Sequence, residues 1–336
     1  MTLHIIIPVY NTAQYLPDAL NSILSERTSA AFNVQLVLIN DGSSDNSDMI
    51  CRECAHSYPG IHYISQENQG VSVARNTGLR YILDHCAEDD WIGFLDSDDI
   101  YHTGWASAIE SGLYSDSDVI GFGMSLADNR LNVSQTRLPV PGKISGGFGA
   151  SVSENRKSHF GSYFYKCSMI RSHRIFFIPK VTNGEDLIFK YEAFLCANQL
   201  TYYPSPLYVY RKNEHSVTSN YIRNACSYYG VLFGGWHGYR NWLESAGKSE
   251  DVSKAIAFVN QRINCTCMFA ARNYCMWRNG SYTDFRKDIL EELLPVYLIL
   301  PAQYEDHNLQ KDYQMISSRP WLFYAKYFIK GLVYRS

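Results

Sequence analysis

Between residues 91 and 99 an apolar run of strand length, Trp-Ile-Gly-Phe-Leu, stops in Asp96-Ser97-Asp98-Asp99. A strand has no need of three carboxylates merely to reach solvent. Side chains two apart on an extended segment share a face, so Asp96 and Asp98 project together from the strand's carboxyl end, the edge at which open α/β sheets bind ligands. Paired carboxylates suit a hard divalent cation such as Mg²⁺ or Mn²⁺, which is commonly held by one or two of them together with substrate phosphates. A polar turn capping the next helix would use the same residue types, because Asp and Ser favour caps and turns. The stretch alone supports both readings.

Other strand ends carry polar groups of their own. An Ile-rich run over 3–9 contains Pro8 and leads to Tyr10, a run over 34–40 stops before Asp41, and a run over 61–65 leads to Asn68 and then a helix bearing Arg75. An aromatic ring after the first strand can stack on a base, Asp41 can accept a hydrogen from a base or ribose, and Arg75 near a helix start can meet a diphosphate. Each has a plain local explanation in loop chemistry or a solvated charge; together they describe a nucleotide site. Glu185 and Asp186 open a further helix with Leu187, Ile188, Tyr191 and Phe194 inward, and by themselves are accounted for by the helix dipole.

Strands alternating with helices at this spacing predict a largely parallel sheet flanked by helices. Asn11 or Thr12 caps the first helix, with Tyr15, Leu16, Ala19, Leu20, Ile23 and Leu24 inward. The stretch at 91–99 is the fourth strand and a further one falls at 118–124, residues 127–158 read as a weakly patterned excursion over the site, and two strands follow at 200–206 and 207–211. Beyond 220 the pattern is helical, over 221–243, 252–277 and 282–298, which divides the chain into a nucleotide-binding region, 1–220, and a helical region, 221–336.

The net charge of -3 and the absence of a long basic run exclude a nucleic-acid binder that works by neutralising phosphates along a strand. The 26 tyrosines and 14% aromatic content suit surfaces that stack rings or sugars or meet a membrane interface. Nine cysteines, an odd number, with a first segment that reads as a strand and not a secretory signal, predict reduced thiols and a cytoplasmic setting. Cys51 and Cys54 have the spacing of a redox or zinc half-site but no matching second pair. No apolar run approaches the roughly 18 residues of a membrane span. Near the end, Trp321, Leu322, Ala325, Phe328, Ile329 and Leu332 fall on one helical face bordered by Lys326 and Lys330, and no acid follows Asp312. The segment 319–335 therefore suits either peripheral contact with the inner membrane or docking on the protein's own core.

The ordered set Pro8-Val9-Tyr10-Asn11, Asn40-Asp41-Gly42-Ser43-Ser44-Asp45, Asn68-Gln69-Gly70 with Ala74-Arg75-Asn76, Asp96-Ser97-Asp98-Asp99, Gly184-Glu185-Asp186 and Tyr210-Arg211 with His215-Ser216 resembles bacterial family 2 glycosyltransferases. The resemblance covers about residues 3–220 and implies the GT-A fold, a Rossmann-like mixed sheet flanked by helices, with a helical C-terminal appendage. It implies a nucleoside-diphosphate sugar donor, UDP-linked by preference, and Mn²⁺ or Mg²⁺. Pro8, Tyr10, Asn11 and Asp41 would hold the base, Asn68 and Arg75 the base and diphosphate, and Asp96 with Ser97 the ribose and sugar side. Asp98 and His215 would ligate the metal, Arg211 would close on the diphosphate, Asp186 would be the base of an inverting transfer and Glu185 would orient acceptor or donor. The Lys or Trp often found ahead of the acid pair is not evident over 161–167. The implied acceptor is a glycan or lipid-linked saccharide of capsule, O-antigen or exopolysaccharide assembly, with a teichoic-acid-type transferase as the neighbouring alternative, and a homo-oligomer is compatible. Two readings from other classes compete. A dehydrogenase would want a Gly-x-Gly-x-x-Gly turn after the first strand, where Pro8-Val9-Tyr10-Asn11 has no glycine. A non-catalytic nucleotide or carbohydrate-binding module needs no Asp186, so retention of Asp98 and Asp186 together counts against it.

Overall fold

The computed structural model describes residues 1–145, 159–179, 184–212, 236, 238–241, 243–245, 250–277, 281–298 and 307–335. The chain forms two compact units, Met1–Asn213 and Glu214–Ser336.

The first unit is built on a mixed sheet of ten described strands. In chain order its elements are β1 (Thr2–Val9), α1 (Leu16–Arg27), β2 (Asn33–Asp41), α2 (Ser47–Ser57), β3 (Ile61–Gln66), α3 (Val71–His85), β4 (Trp91–Phe94), β5 (Ile100–Tyr101), α4 (Trp105–Leu113), β6 (Val119–Ala127), β7 (Val133–Arg137), β8 (Gly142–Ser145), β9 (Tyr163–Lys166), α5 (Cys167–His173), α6 (Glu185–Cys196) and β10 (Gln199–Arg211). The sheet order is β3-β2-β1-β4-β9-β6-β10-β5, with β7 on β6 and β8 on β10. Strands β3, β2, β1 and β4 run parallel, β9 is antiparallel to both β4 and β6, and β10 is parallel to β6. This is the α/β, largely parallel architecture the element pattern predicts.

The central strands are buried on both faces, as their uninterrupted apolar runs require. Leu3, Ile5 and Ile7 of β1 pack with Leu16, Leu20 and Ile23 of α1 and with Trp105 and Ile109 of α4. On the opposite face Ile6 meets α3 so closely that a Cβ on Gly78 would lie 2.8 Å from it. The aromatic content goes largely inward: Trp91, Trp105, Tyr101, Tyr163, Tyr165, Tyr208, Phe94 and Phe122 are fully buried. The ring-rich composition is here chiefly a core property.

Several local expectations are corrected. The strand of 91–99 ends at Phe94, and Asp96 to Asp99 form a turn closed by the Asp99 amide donating to the Asp96 carbonyl at 3.0 Å. The two-residue alternation therefore does not orient Asp96 and Asp98. The excursion of 127–158 contains β7 and β8; every residue of β7 but the last is exposed, so no apolar alternation marks it. The strands expected at 200–206 and 207–211 are one strand, β10, irregular around Pro206. Helix α1 begins at Leu16, and Asn11 does not cap it but takes a left-handed backbone with φ 51°.

The second unit contains α7 (Glu250–Trp277), α8 (Tyr282–Phe285), a π-helical turn over Arg286–Leu293, α9 (Leu294–Tyr297), α10 (His307–Ser318) and α11 (Pro320–Arg335). Most of the helix expected over 221–243 lies outside the described residues. Among the described residues, no helix is long and apolar enough to cross a membrane. Eight described cysteines are free. Burial pushes the Cys51 thiol to about 12 and the Cys54 thiol to about 11, so this pair sits as inert helix side chains.

Candidate active site

The site forms along the carboxyl ends of β1, β2 and β4 and gathers residues from seven stretches of chain. After β1, Tyr10 is half-exposed at 50% while Pro8 is buried within the strand. The Asn11 side-chain oxygen accepts from the Ser44 amide at 2.8 Å, and the Asn11 amide donates to Ser43 Oγ at 3.1 Å, tying the two first loops together. Asp41 ends β2 with its carboxylate already engaged: it accepts from Gln66 Nε2 at 2.7 Å and from the amides of Gln69 and Gly70 at 3.0 and 2.8 Å. It thereby shapes the loop that starts α3 and carries the exposed Asn68. Gly42 is the residue that lets this loop close, with φ 73° and room for no Cβ, which would lie 2.8 Å from the Asn68 nitrogen.

Arg75 is the hub. It is 4% exposed, on the first turns of α3, and its guanidinium packs against the rings of Phe160 and Phe177, each 5.2 Å away, which themselves meet edge to face at 5.5 Å. Its Nη2 donates to Asp96 Oδ1 at 2.7 Å and its Nη1 to Glu185 Oε1 at 2.8 Å. One buried cation thus joins the acid turn after β4 to the acid pair that opens α6, whose Glu185 lies 110 residues from Arg75. Neighbouring Asn76 fixes Phe177 by donating to its carbonyl and accepting from its amide, both at 2.8 Å. Phe177 in turn stacks on Phe189 of α6 at 4.3 Å.

The acid turn is held from several sides. Ser97 is buried, and its Oγ accepts from Thr12 Oγ1 at 2.9 Å. Asp99 accepts from Tyr208 Oη at 2.6 Å and from the Arg211 amide at 2.7 Å. Arg211, assigned to a diphosphate by the resemblance, spends its side chain on the protein. Nε donates to the Asp98 carbonyl at 2.9 Å, Nη1 to the Asn129 carbonyl at 3.1 Å and Nη2 to Asp18 Oδ2 at 2.8 Å. In this structure it clamps the turn, and a diphosphate would have to displace those partners. His215 lies outside the described residues.

Two residues that sequence reasoning left without a role stand in the site. One ligand atom each from Asp96, Asp99 and His159 lies within 4.8 Å of the others. His159 stacks on Tyr208 at 4.3 Å, and its Nδ1 accepts from the Gly161 amide at 3.2 Å, which leaves Nε2 to carry the proton of the neutral ring. Nothing in the weakly patterned stretch before it marks this histidine. Burial holds the His159 pKa below its ordinary value, against the opposing pull of Asp96 and Asp186.

The electrostatics are those of crowded carboxylates around one arginine. Burial alone would raise Asp96, but Arg75 and then His159 more than offset it and hold the carboxyl low. Burial, followed by the charges of Asp98 and Asp96, drives Asp99 well above its ordinary value. Burial and then Asp186 push Glu185 to about 7 in spite of Arg75. A divalent cation fits this surplus of negative charge, and the Asp96 and Asp99 oxygens suit Mn²⁺ or Mg²⁺, whereas His159, with Nδ1 engaged and Nε2 protonated, offers no lone pair in this arrangement. Gly184, with φ 82°, turns the chain into α6 so that Glu185 and Asp186 occupy its first turn; Asp186 Oδ1 accepts from its neighbour's amide, Leu187, at 2.8 Å.

The glycosyl transferase family 2 model matches residues 4–171, half of the chain. The chain belongs to glycosyl transferase family 2. Among curated relatives it is 46% identical over 101 residues to the minor teichoic acid biosynthesis protein GgaB of Bacillus subtilis, covering 30% of this chain and 11% of that one. It is 27% identical over 226 residues to the putative glycosyltransferase EpsH of the same organism, covering 65% of this chain and 62% of that one. The matches therefore span less than two thirds of these relatives. Among solved structures, Staphylococcus aureus TarS 1–349 in complex with UDP-GlcNAc superposes with a TM-score of 0.62 at 18% identity, covering 98% of this chain and 90% of that one. The mannosyltransferase PcManGT of Pyrobaculum calidifontis, with GDP-Man and Mn²⁺, gives 0.52 at 16%, covering 98% and 86%. At these identities the likeness shows the fold, the GT-A architecture of glycosyltransferases.

Proposed function

We propose that this family member is an inverting glycosyltransferase that moves a sugar from a nucleoside-diphosphate donor, UDP-linked by preference, to a hydroxyl of a glycan or lipid-linked saccharide in bacterial surface polysaccharide synthesis. The observation that carries the reading is the Asp96–Arg75–Glu185 chain of ion pairs, 2.7 and 2.8 Å, which fixes an acid turn suited to a donor's phosphates against a helix start bearing a second acid. UDP-GlcNAc bound to TarS and GDP-Man with Mn²⁺ bound to PcManGT support the donor class.

Transfer builds positive charge on the sugar and negative charge on the departing diphosphate. The acceptor hydroxyl loses its proton as it attacks, and Asp186 takes that proton. Glu185, tied to Arg75, orients the sugar side of the reaction. No protein nucleophile is needed, so a single displacement inverts the anomeric carbon. Asp96 and Asp99, with Asp98 and His215 as the resemblance implies, would hold a divalent cation, which would stabilise the diphosphate as charge develops on it. Tyr10, Asn11, Pro8, Asp41 and Asn68 frame the base side. The same reading sets the chain in the cytoplasm, at the inner face of the membrane where the acceptor is lipid-linked. GgaB, named for minor teichoic acid biosynthesis, supports a teichoic-acid-type product as the alternative to capsule, O-antigen or exopolysaccharide.

The test is release of nucleoside diphosphate from a panel of nucleotide sugars with Mn²⁺, with Mg²⁺ and with chelator. Release from one donor that Asp98→Ala abolishes, and that Asp186→Asn lowers at least a hundredfold while donor binding persists, is the expected result. Donor binding without turnover in the wild type would make the protein a binding module.

A further inference from the structure

The end of α3 and the start of α5 meet at two cysteines outside the nucleotide site. Cys86 follows the last residue of α3, and Cys167 is the first residue of α5. Both are tied to Asp90, which precedes β4: the Cys167 amide donates to its carbonyl at 2.9 Å, and the amide of Ala87, next to Cys86, donates to its Oδ2 at 2.9 Å. One turn along α5 from Cys167, Arg171 reaches over Cys86. Its Nη2 donates to the Leu83 and Cys86 carbonyls at 3.0 and 2.7 Å and to Cys86 Sγ at 2.8 Å. The carbonyl bonds close the open end of α3. The sulfur bond does nothing for the helix and sets a cation on a thiol. The two thiols are also bonded to each other, Cys167 donating to Cys86. That bond first, and Arg171 with it, outweigh burial and hold the Cys86 thiol below its ordinary value, whereas burial pushes Cys51, Cys54 and Cys196 up. Cys86 is half-buried and Cys167 fully buried, and a cleft lined by Glu88, Ser168, Arg171 and His173 opens beside them.

We propose that Cys86 and Cys167 form an oxidation site for hydrogen peroxide, in which Cys86 is the attacking sulfur, Cys167 the resolving one and Arg171 the cation that holds Cys86 ready. The Cys86 thiolate, its proton given to solvent, attacks one peroxide oxygen; the O–O bond breaks, and the departing hydroxide takes a proton from solvent to become water. Cys86 is then a sulfenic acid, oxidised by two electrons. The Cys167 thiol attacks that sulfur, the S–S bond forms as the S–O bond breaks, and the Cys167 proton leaves with the hydroxide as a second water. Two thiols and one peroxide thus give one disulfide and two waters. What keeps Cys167 protonated is first its bond to Cys86, then burial and then the charge of Cys86. The first and the last end once Cys86 carries an oxygen, which frees Cys167 to attack. The bond so formed joins the far end of the helix that bears Arg75 to the helix that leads to Phe177. The proposal stands apart from the transfer reaction, because its readout is thiol chemistry without donor.

The experiment is non-reducing peptide mapping of the folded full chain after brief exposure to a small excess of hydrogen peroxide. Wild type is expected to show a link between Cys86 and Cys167 that dithiothreitol reverses, while Cys51 and Cys54, held by burial at about 12 and 11, stay reduced. Cys167→Ala leaves Cys86 as a sulfenic acid that dimedone captures, and Cys86→Ser leaves Cys167 unmodified. Arg171→Gln slows alkylation of Cys86 by iodoacetamide at pH 7 about threefold or more, since loss of the cation cuts the thiolate fraction while the more basic sulfur regains part of the rate. A wild type in which Cys86 and Cys167 stay unlinked, or in which Cys51 and Cys54 link first, overturns the proposal. So does alkylation of Cys86 in Arg171→Gln at the wild-type rate or faster.

Discussion

Arg75 meets its two carboxylates and two rings from a position that only a planar, two-ended cation can fill. Lysine offers a single ammonium and cannot reach Asp96 and Glu185 in parallel while packing against Phe160 and Phe177. Arg75→Ala leaves two acids without their shared counter-charge, so it is expected to lower the unfolding free energy by about 3–5 kcal/mol in urea titrations. Arg75→Lys should recover part of that stability but little of the activity. Glu185 makes a second prediction at this scale. Burial, then the charge of Asp186, raises its pKa to about 7 from an unfolded value near 4.5. A carboxyl whose folded pKa is raised contributes stability that is fully present below the unfolded value and is lost as pH rises through the folded one. Measured from pH 4 to 8, the unfolding free energy of wild type should fall relative to that of Glu185→Gln across that window. Parallel curves would mean that Glu185 is solvated.

At the scale of elements, the short helical turn Phe160–Ser162 sets the floor of the site. A Cβ on Gly161 would fall 2.2 Å from Tyr208 Cε2 and 2.9 Å from the Phe94 carbonyl. Gly161→Ala must therefore push the Tyr208 ring, whose hydroxyl holds Asp99, and overpacking of this kind costs about 1–3 kcal/mol. Donor turnover should fall in Gly161→Ala and in Tyr208→Phe alike, whereas only the alanine should lower the melting temperature strongly. The same elements show what the sequence carries. β1, β2 and β4 were legible because burial on both faces demands unbroken apolar runs, and the acids after β2 and β4 were legible because those runs stop so abruptly. β7 was not, since its exposed face shows no alternation. The orientation of Asp96 and Asp98 was misjudged for a geometric reason: alternation holds only while the backbone is extended, and the chain turns after Phe94. The destination of Arg75, and the arrival of His159 beside Asp96, depend on contacts across 110 and 63 residues that local periodicity does not encode.

At the scale of the whole molecule the chain is two units, and the second is organised around one buried acid as the first is around one buried cation. Asp312 of α10 is 1% exposed and receives Arg272 of α7 together with Lys326 and Tyr327 of α11, so three helices converge on a single carboxylate. Burial alone would raise its pKa, but the bonds from Lys326, Tyr327 and Arg272 outweigh it and hold the group below its ordinary 3.8. A carboxyl whose folded pKa is depressed contributes stability present above the unfolded value and lost as pH falls through the folded one. Asp312→Asn keeps the size of the side chain and removes the charge, leaving Arg272 and Lys326 without an anion. It should lower the helical unfolding transition, followed by far-ultraviolet circular dichroism at pH 7, by an amount corresponding to about 3–5 kcal/mol. The gap between wild type and variant should narrow as the pH is taken below 3.8, where wild type too begins to lose the charge. A gap that stays constant with pH would show that shape, not charge, is what the three helices share at this point.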